Sequence, residues 1–174
     1  MYNNYMAVSI NSYSNQLVAR FLEEKQRLLK ILPDSLPIEH IGSSAVGIGG
    51  KNIVDILVGV TSREQMKAIR DILIANGYFE GHDSRDDRIF LASRTGETSE
   101  GDFHIHICPT NEDSYKDFII LRDYLRGHPD IAKEYFKKKH EFAKAAGFDR
   151  KKYKALKTPY VSKLLAEAKR QTTS

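Results

Sequence analysis

The chain has very little of what would staple it, anchor it or leave it unfolded. It holds one cysteine, Cys108, which excludes an internal disulfide and fits a reducing cytoplasm. No apolar run approaches the ~18 residues that a membrane helix needs. No basic segment followed by an apolar one opens the chain. Neither membrane spanning nor secretion is therefore expected. Proline and glycine are few, at 5 and 11 residues, and there is no internal repeat or low-complexity stretch. That excludes fibrous and disordered classes. What remains, at 174 residues, is a globular chain long enough to bury one real core, read as a single domain over 1–174.

The net charge of +4 is unevenly spread. Residues 133–170 carry 13 Lys/Arg against 4 Asp/Glu, which is +9 and leaves −5 for the rest. A basic, helical tail over about 114–170 facing a less basic N-terminal part suits a polyanionic partner, either a phosphate-bearing small molecule or a nucleic acid. A solvated helical face explains the same charges.

Residues 1–12 are polar and read as a loose end or edge strand. From Asn15 to Ile31, Leu17, Val18, Phe21, Leu22, Leu28, Leu29 and Ile31 recur at helical spacing, with Glu23, Glu24, Lys25 and Arg27 assigned to the outer face. A short strand over 37–41 ends at Gly42, and a stronger one runs from Ile53 to Val60. Near-continuous apolarity in the second fits a central strand covered on both sides. Thr61 or Ser62 caps a helix that turns Met66, Ile69, Ile72, Leu73 and Ile74 inward and ends at Asn76-Gly77. Strand candidates follow at 78–79, 88–92 and 102–108, separated by polar turns at 81–87 and 95–101. The rest reads as helices over 115–126, 130–146 and 151–170, with Pro159 a kink or restart in the last. The class expected is α+β, a small mixed sheet flanked by helices with a helical C-terminal third.

Chemistry concentrates in a few places. Gly42, Ser43 and Ser44 form a turn whose N–H groups and hydroxyls suit a phosphate. Asp55 lies inside an apolar strand, where a carboxylate is costly to bury without a partner. It is read as a metal ligand or as a buried cap on a neighbouring backbone. His104 and His106 are two apart on one strand and share a face, as paired metal ligands, as acid–base groups or as core histidines. His40 adds a third imidazole near the Gly-Ser turn. Lys51, Arg88 and Lys157 could neutralise phosphate charge, although Lys157 also reads as a snorkelling surface lysine. Cys108 is read as a core thiol.

These segments, taken in order, resemble a known family. Residues 39–46 (Glu-His-Ile-Gly-Ser-Ser-Ala-Val), Lys51 and Ile53-Val54-Asp55-Ile56 resemble the signature of the GrpB family. So do Asp102–Ile107, the run Leu121-Arg122-Asp123-Tyr124-Leu125-Arg126-Gly127-His128-Pro129, and residues 153–161. The likeness runs over about residues 8–168 and implies a branch of the nucleotidyltransferase superfamily. It implies a nucleotidyltransferase-like small mixed sheet flanked by helices. It also implies a Gly-Ser turn that grips a nucleoside triphosphate, and strand acids that hold Mg²⁺, Mn²⁺ or another divalent metal. Two departures accompany it. Leu57 stands two residues after Asp55, where working nucleotidyltransferases carry a second acid. Gly47 and Asn52 stand where the family tends to have proline.

The first expectation is a metal-dependent transfer of a nucleoside monophosphate from a nucleoside triphosphate to an acceptor. Asp55, His104 and His106 would be catalytic, and Gly42, Ser43, Ser44, Lys51, Arg88 and Lys157 would hold phosphate. Asp55, His106 and His40 would hold metal. The alternatives are a catalytically reduced module that binds a nucleotide or coenzyme, and a His/Asp metal-dependent phosphoesterase.

Overall fold

The computed structural model describes residues 7–93 and 102–172. The turn expected at 95–101 and the first six residues lie outside them. The elements are α1 (Gln16–Ile31), β1 (Ile38–Ile41), α2 (Gly42–Val46), β2 (Val54–Val60), α3 (Arg63–Ala75), β3 (Phe79–Glu80), β4 (Ile89–Ser93), β5 (Phe103–Pro109), α4 (Asp113–Gly127), α5 (Pro129–Ala145) and α6 (Arg150–Thr172). The strands form one sheet in the order β1-β2-β5-β4-β3. β2 and β5 pair in parallel and every other neighbour is antiparallel, so the sheet is mixed and the class is α+β, as expected.

The central strands are covered on both faces. Val54, Ile56, Val58 and Val60 of β2, with Ile105 and Ile107 of β5, pack against Leu17, Phe21 and Leu28 of α1 and Met66, Ile69 and Leu73 of α3. On the opposite face Leu57 and Cys108 pack with Ile41 against Tyr115, Phe118 and Ile119 of α4. A further core joins α4, α5 and α6 through Tyr124, Leu125, Ala132, Tyr135, Leu164 and Ala168.

Several local readings change. Glu24 is on the buried face of α1, with 7% of its surface exposed. It falls three residues after Phe21 and four before Leu28, the spacing of that face. Burial is tolerated because Arg27 Nη2 donates to its carboxylate at 3.1 Å and the Tyr78 hydroxyl donates to it as well. Val18, Leu22 and Ile74, expected inward, are 39%, 54% and 44% exposed, because they sit at the margins of their helices' apolar stripes. Ser62 caps α3 by accepting from the Gln65 N–H at 3.2 Å. Pro159 does not restart α6, which runs unbroken through it.

Residues 7–11 are not loose. Val8 N–H donates to Phe148 O at 2.8 Å, and Asn11 and Gly50 exchange backbone bonds at 2.7 and 3.0 Å. This segment ties the α5–α6 turn to the loop before β2, and Val8 is 1% exposed beside Ala143, Ala146 and Tyr153.

Candidate functional site

The β1–β2 register sets Ile41 opposite Asp55, and α2 begins at Gly42. The chain therefore turns directly over the Asp55 carboxylate. Gly42 has φ +70°, and a Cβ built on it would lie 2.4 Å from Asp55 Oδ2. Only glycine meets both demands, a left-handed backbone and a close approach. Asp55 is 27% exposed at its side chain, and its Oδ1 lies 3.3 Å from His104 Nδ1. Burial pushes this carboxyl up, but the His104 hydrogen bond and the charge of Lys157 outweigh it. Asp55 is held below the ordinary carboxylate range and is ionised at neutral pH.

Two lysines, Lys139 of α5 and Lys157 of α6, feel the charge of this acid, and a third, Lys51, repels Lys157. Lys139 of α5 is 3% exposed. Its ammonium donates to Ser43 Oγ and, at 2.9 Å, to Gly49 O, and it lies 4.7 Å from the Tyr135 ring centroid. Burial, then repulsion from Lys157, bring it down to about 7, against the pull of Asp55. Lys157 of α6 and Lys51 from the loop before β2 each sit 5.7 Å from the Tyr153 ring. Lys157 is likewise lowered, first by burial and then by Lys51, with Asp55 opposing. Ammoniums that repel one another beside the Asp55 carboxylate favour a multiply charged anion among them.

The structure brings Gly42, Ser43, Lys51, Asp55, His104, His106 and Lys157 to one side of the sheet. Arg88 lies at its edge, with its guanidinium 5.7 Å from the Phe118 ring and Nη2 donating to Asp83 O at 3.1 Å. It does not bring His40 or Ser44 there. His40 pairs with Ile56 and so takes the α1 face of the sheet, stacked 4.3 Å from Phe21. Its Nε2 is 2.8 Å from Ser44 Oγ, and Ser44 is 2% exposed. The two satisfy each other beneath the turn. Burial lowers His40 to about 4, so it is neutral there.

Sequence reading missed Lys139, Arg122 and Arg126. Lys139 stands in the run Lys137-Lys138-Lys139, which looks like solvated charge. Its signal is its position, because Ala132, Tyr135, Lys139 and Ala143 form the buried stripe of α5. Arg122 donates from Nη1 to Glu39 Oε2 at 2.7 Å and to His40 O at 3.3 Å, and Arg126 donates from Nε to Ala45 O at 2.9 Å. The run at 121–129 thus clamps α4 onto the backbone on both sides of the Gly-Ser turn. Asn52 has φ +64°, a conformation closed to proline.

The residues present do not fit a metal pair held by the protein. Two catalytic ions need several anionic ligands. Among the described residues no three of His, Cys, Asp and Glu are placed to hold a metal ion. Leu57, in the place of the second acid, is 0% exposed and packed with Ile41 and Cys108. The expected set of Asp55, His106 and His40 is divided by the sheet. No helix among the described residues is long and apolar enough to cross a membrane.

Comparison with known proteins places these features. A family model described as GrpB protein matches residues 7–167. The UPF0157 protein YqkA of Bacillus subtilis is 32% identical over 139 residues, covering 78% of this chain and 40% of that one. This chain spans 40%, 64% and 55% of the relatives matched in Bacillus subtilis, Streptomyces coelicolor and Pseudomonas aeruginosa. The crystal structure of the conserved protein GrpB from Enterococcus faecalis superposes with a TM-score of 0.81 at 29% identity, over 95% of this chain and 100% of that one. The Cid1 poly(U) polymerase bound to MgGTP superposes with a TM-score of 0.53 at 22% identity, over 78% of this chain and 44% of that one. That second likeness shows a shared nucleotidyltransferase-like fold.

Proposed function

This chain belongs to the GrpB family, and from that premise we propose that it binds the phosphate groups of a nucleotide or a similar phosphate-bearing small molecule. One observation carries the reading: Lys139 donates to Ser43 of the Gly-Ser turn, and Lys139, Lys157 and Lys51 crowd one another beside the Asp55 carboxylate. Lys139 holds the Gly-Ser turn from below, while Lys51 and Lys157 face the ligand across Tyr153. Arg88 supplies a further cation at the edge. Phosphate charge then replaces the repulsion that the lysines otherwise suffer, so binding energy comes from the relief of strain already present in the ligand-free site.

A second reading, transfer of a nucleoside monophosphate to an acceptor, is favoured by the Asp55–His104 contact. Asp55 orients the ring and leaves Nε2 as the proton acceptor for an attacking hydroxyl.

The test is thermal unfolding with ATP, GTP, UTP and pyrophosphate in turn, with and without Mg²⁺, followed by product analysis. A ligand at ~100 times its Kd adds about 2.7 kcal/mol, which for a chain of this size raises Tm by about 5–10 °C. Lys157→Met should abolish most of that rise. If no nucleotide and no pyrophosphate moves Tm, the reading is wrong. Release of pyrophosphate with a nucleotidylated product selects the transfer reading over simple binding.

A further inference from the structure

His106 is on β5, on the same face as Asp55 and His104. Its ring packs between two aromatics, 5.2 Å from Phe90 and 4.7 Å from Phe118. Its Nδ1 is fully buried and has no hydrogen-bond partner. The residue as a whole is half-buried, and Nε2 is not among the buried unpartnered atoms. The accessible edge of the ring is therefore the Nε2 side.

A neutral imidazole has one N–H and one lone pair. An orphaned buried N–H is rarer and costlier than an orphaned acceptor. The proton therefore belongs on Nε2 and the lone pair on Nδ1. Burial, with Arg88 adding to it against Asp55 and Asp83, lowers His106 to about 3, so the ring stays neutral through the physiological range. That removes the role of proton acceptor at neutral pH. It also opposes metal ligation through Nε2, because a ligating histidine donates its other N–H to a partner and here Nδ1 has none. His104 is the reverse case. Its Nδ1 faces Asp55 Oδ1, so its proton is on Nδ1 and its Nε2 lone pair is outward.

We propose that His106 donates a hydrogen bond from Nε2–H to a phosphate oxygen of the bound ligand, as a fixed neutral tautomer opposite to that of His104. The proposal rests on the phosphate-binding reading above and adds a residue to it. The ammoniums supply charge. His106 supplies a directed donor that does not change with pH and adds no charge to an already repulsive cluster.

The experiment uses the full chain with ¹⁵N-labelled imidazoles and pyrophosphate as probe. His106 should show Nε2–H with bare Nδ1, His104 should show Nδ1–H, and His106 should not titrate between pH 5 and 8. Pyrophosphate should shift the His106 Nε2–H resonance. In calorimetry His106→Phe, which keeps the aromatic packing, should bind pyrophosphate about 10- to 100-fold more weakly, the range of one hydrogen bond to a charged group. His106→Gln, which keeps a donor near the same place, should stay within about threefold of the parent. An Nδ1–H tautomer, titration above pH 5, or unweakened binding by His106→Phe overturns the proposal and leaves phosphate binding standing. Failure of the parent chain to bind pyrophosphate or any nucleotide overturns both. If His106→Phe does not fold, the tautomer spectrum of the parent chain still decides.

Discussion

On β5, Ile105 and Ile107 are buried to 0% exposure against α1 and α3, while His104 and His106, one residue away each, face Asp55 and α4. The same division runs along β2, with Ile56 on one side and Asp55 on the other. One face of the sheet is therefore spent on stability and the other on a charged site. Leu57 and Cys108 complicate that division. They share the site face yet are fully buried, so the polar patch is a short window at one end of a second apolar surface. Position along the strand, as well as side of the sheet, decides which residues remain available for chemistry.

The sharpest way to break this comparison is Leu57→Asp, which restores the second acid of the superfamily pattern. Because the position is inside the apolar part of that face, an unpaired carboxylate there should cost about 3–5 kcal/mol in denaturant unfolding. A variant within 1 kcal/mol of the parent, or one newly stabilised by Mg²⁺, would show that Leu57 belongs to the window after all. A smaller contrast comes from neighbours on β5. Ile105→Ala should lose about 2–5 kcal/mol through the cavity it leaves. His104→Ala, at a partly exposed position, should lose about 1 kcal/mol while weakening nucleotide binding. Equal losses would erase the distinction between the faces.

A last contrast concerns pH and is read as a slope. Lys139 is held at about 7 in the folded chain and returns to about 10.4 when unfolded. Between those values the unfolded chain binds more protons, so this residue makes stability rise with pH from about 7 towards 10, by at most ~1.4 kcal/mol per pH unit. Below pH 7 both states are protonated and its penalty is full and constant. Urea unfolding at pH 7, 8 and 9 should show a shallower rise for Lys139→Met than for the parent, and identical slopes would remove Lys139 from the buried cluster.

The strands and helices were legible because their periods are local. The alternation at 102–108 and the apolar run at 53–60 needed only the neighbouring residues. That Asp55 and the two β5 histidines share a face beside the Gly-Ser turn was also legible, since an acid and paired histidines each break an apolar strand pattern. His40 was not, because strand parity names two faces without saying which one the pairing with β2 turns towards Asp55. Glu24 was misread because a helix period cannot tell an acid that has found Tyr78 and Arg27 from one facing water. Lys139 hid in a basic run, where only the stripe of buried residues on α5 separates it from Lys137 and Lys138. For His40 and Glu24 the missing information was a contact with another element, β2 for the first and Tyr78 for the second.

The short segment at residues 7–11 has a consequence in time. Val8 bonds to Phe148, about 140 residues further on, so the beginning of the described chain cannot dock until the α5–α6 turn exists. The loop at Gly49-Gly50 is held between that segment and Lys139, which comes equally late. During synthesis the sheet can assemble first, with Asp55 and the Gly-Ser turn in place but without the ammonium that steadies Ser43. On the phosphate-binding reading, the grip is therefore closed only once α5 and α6 have been made.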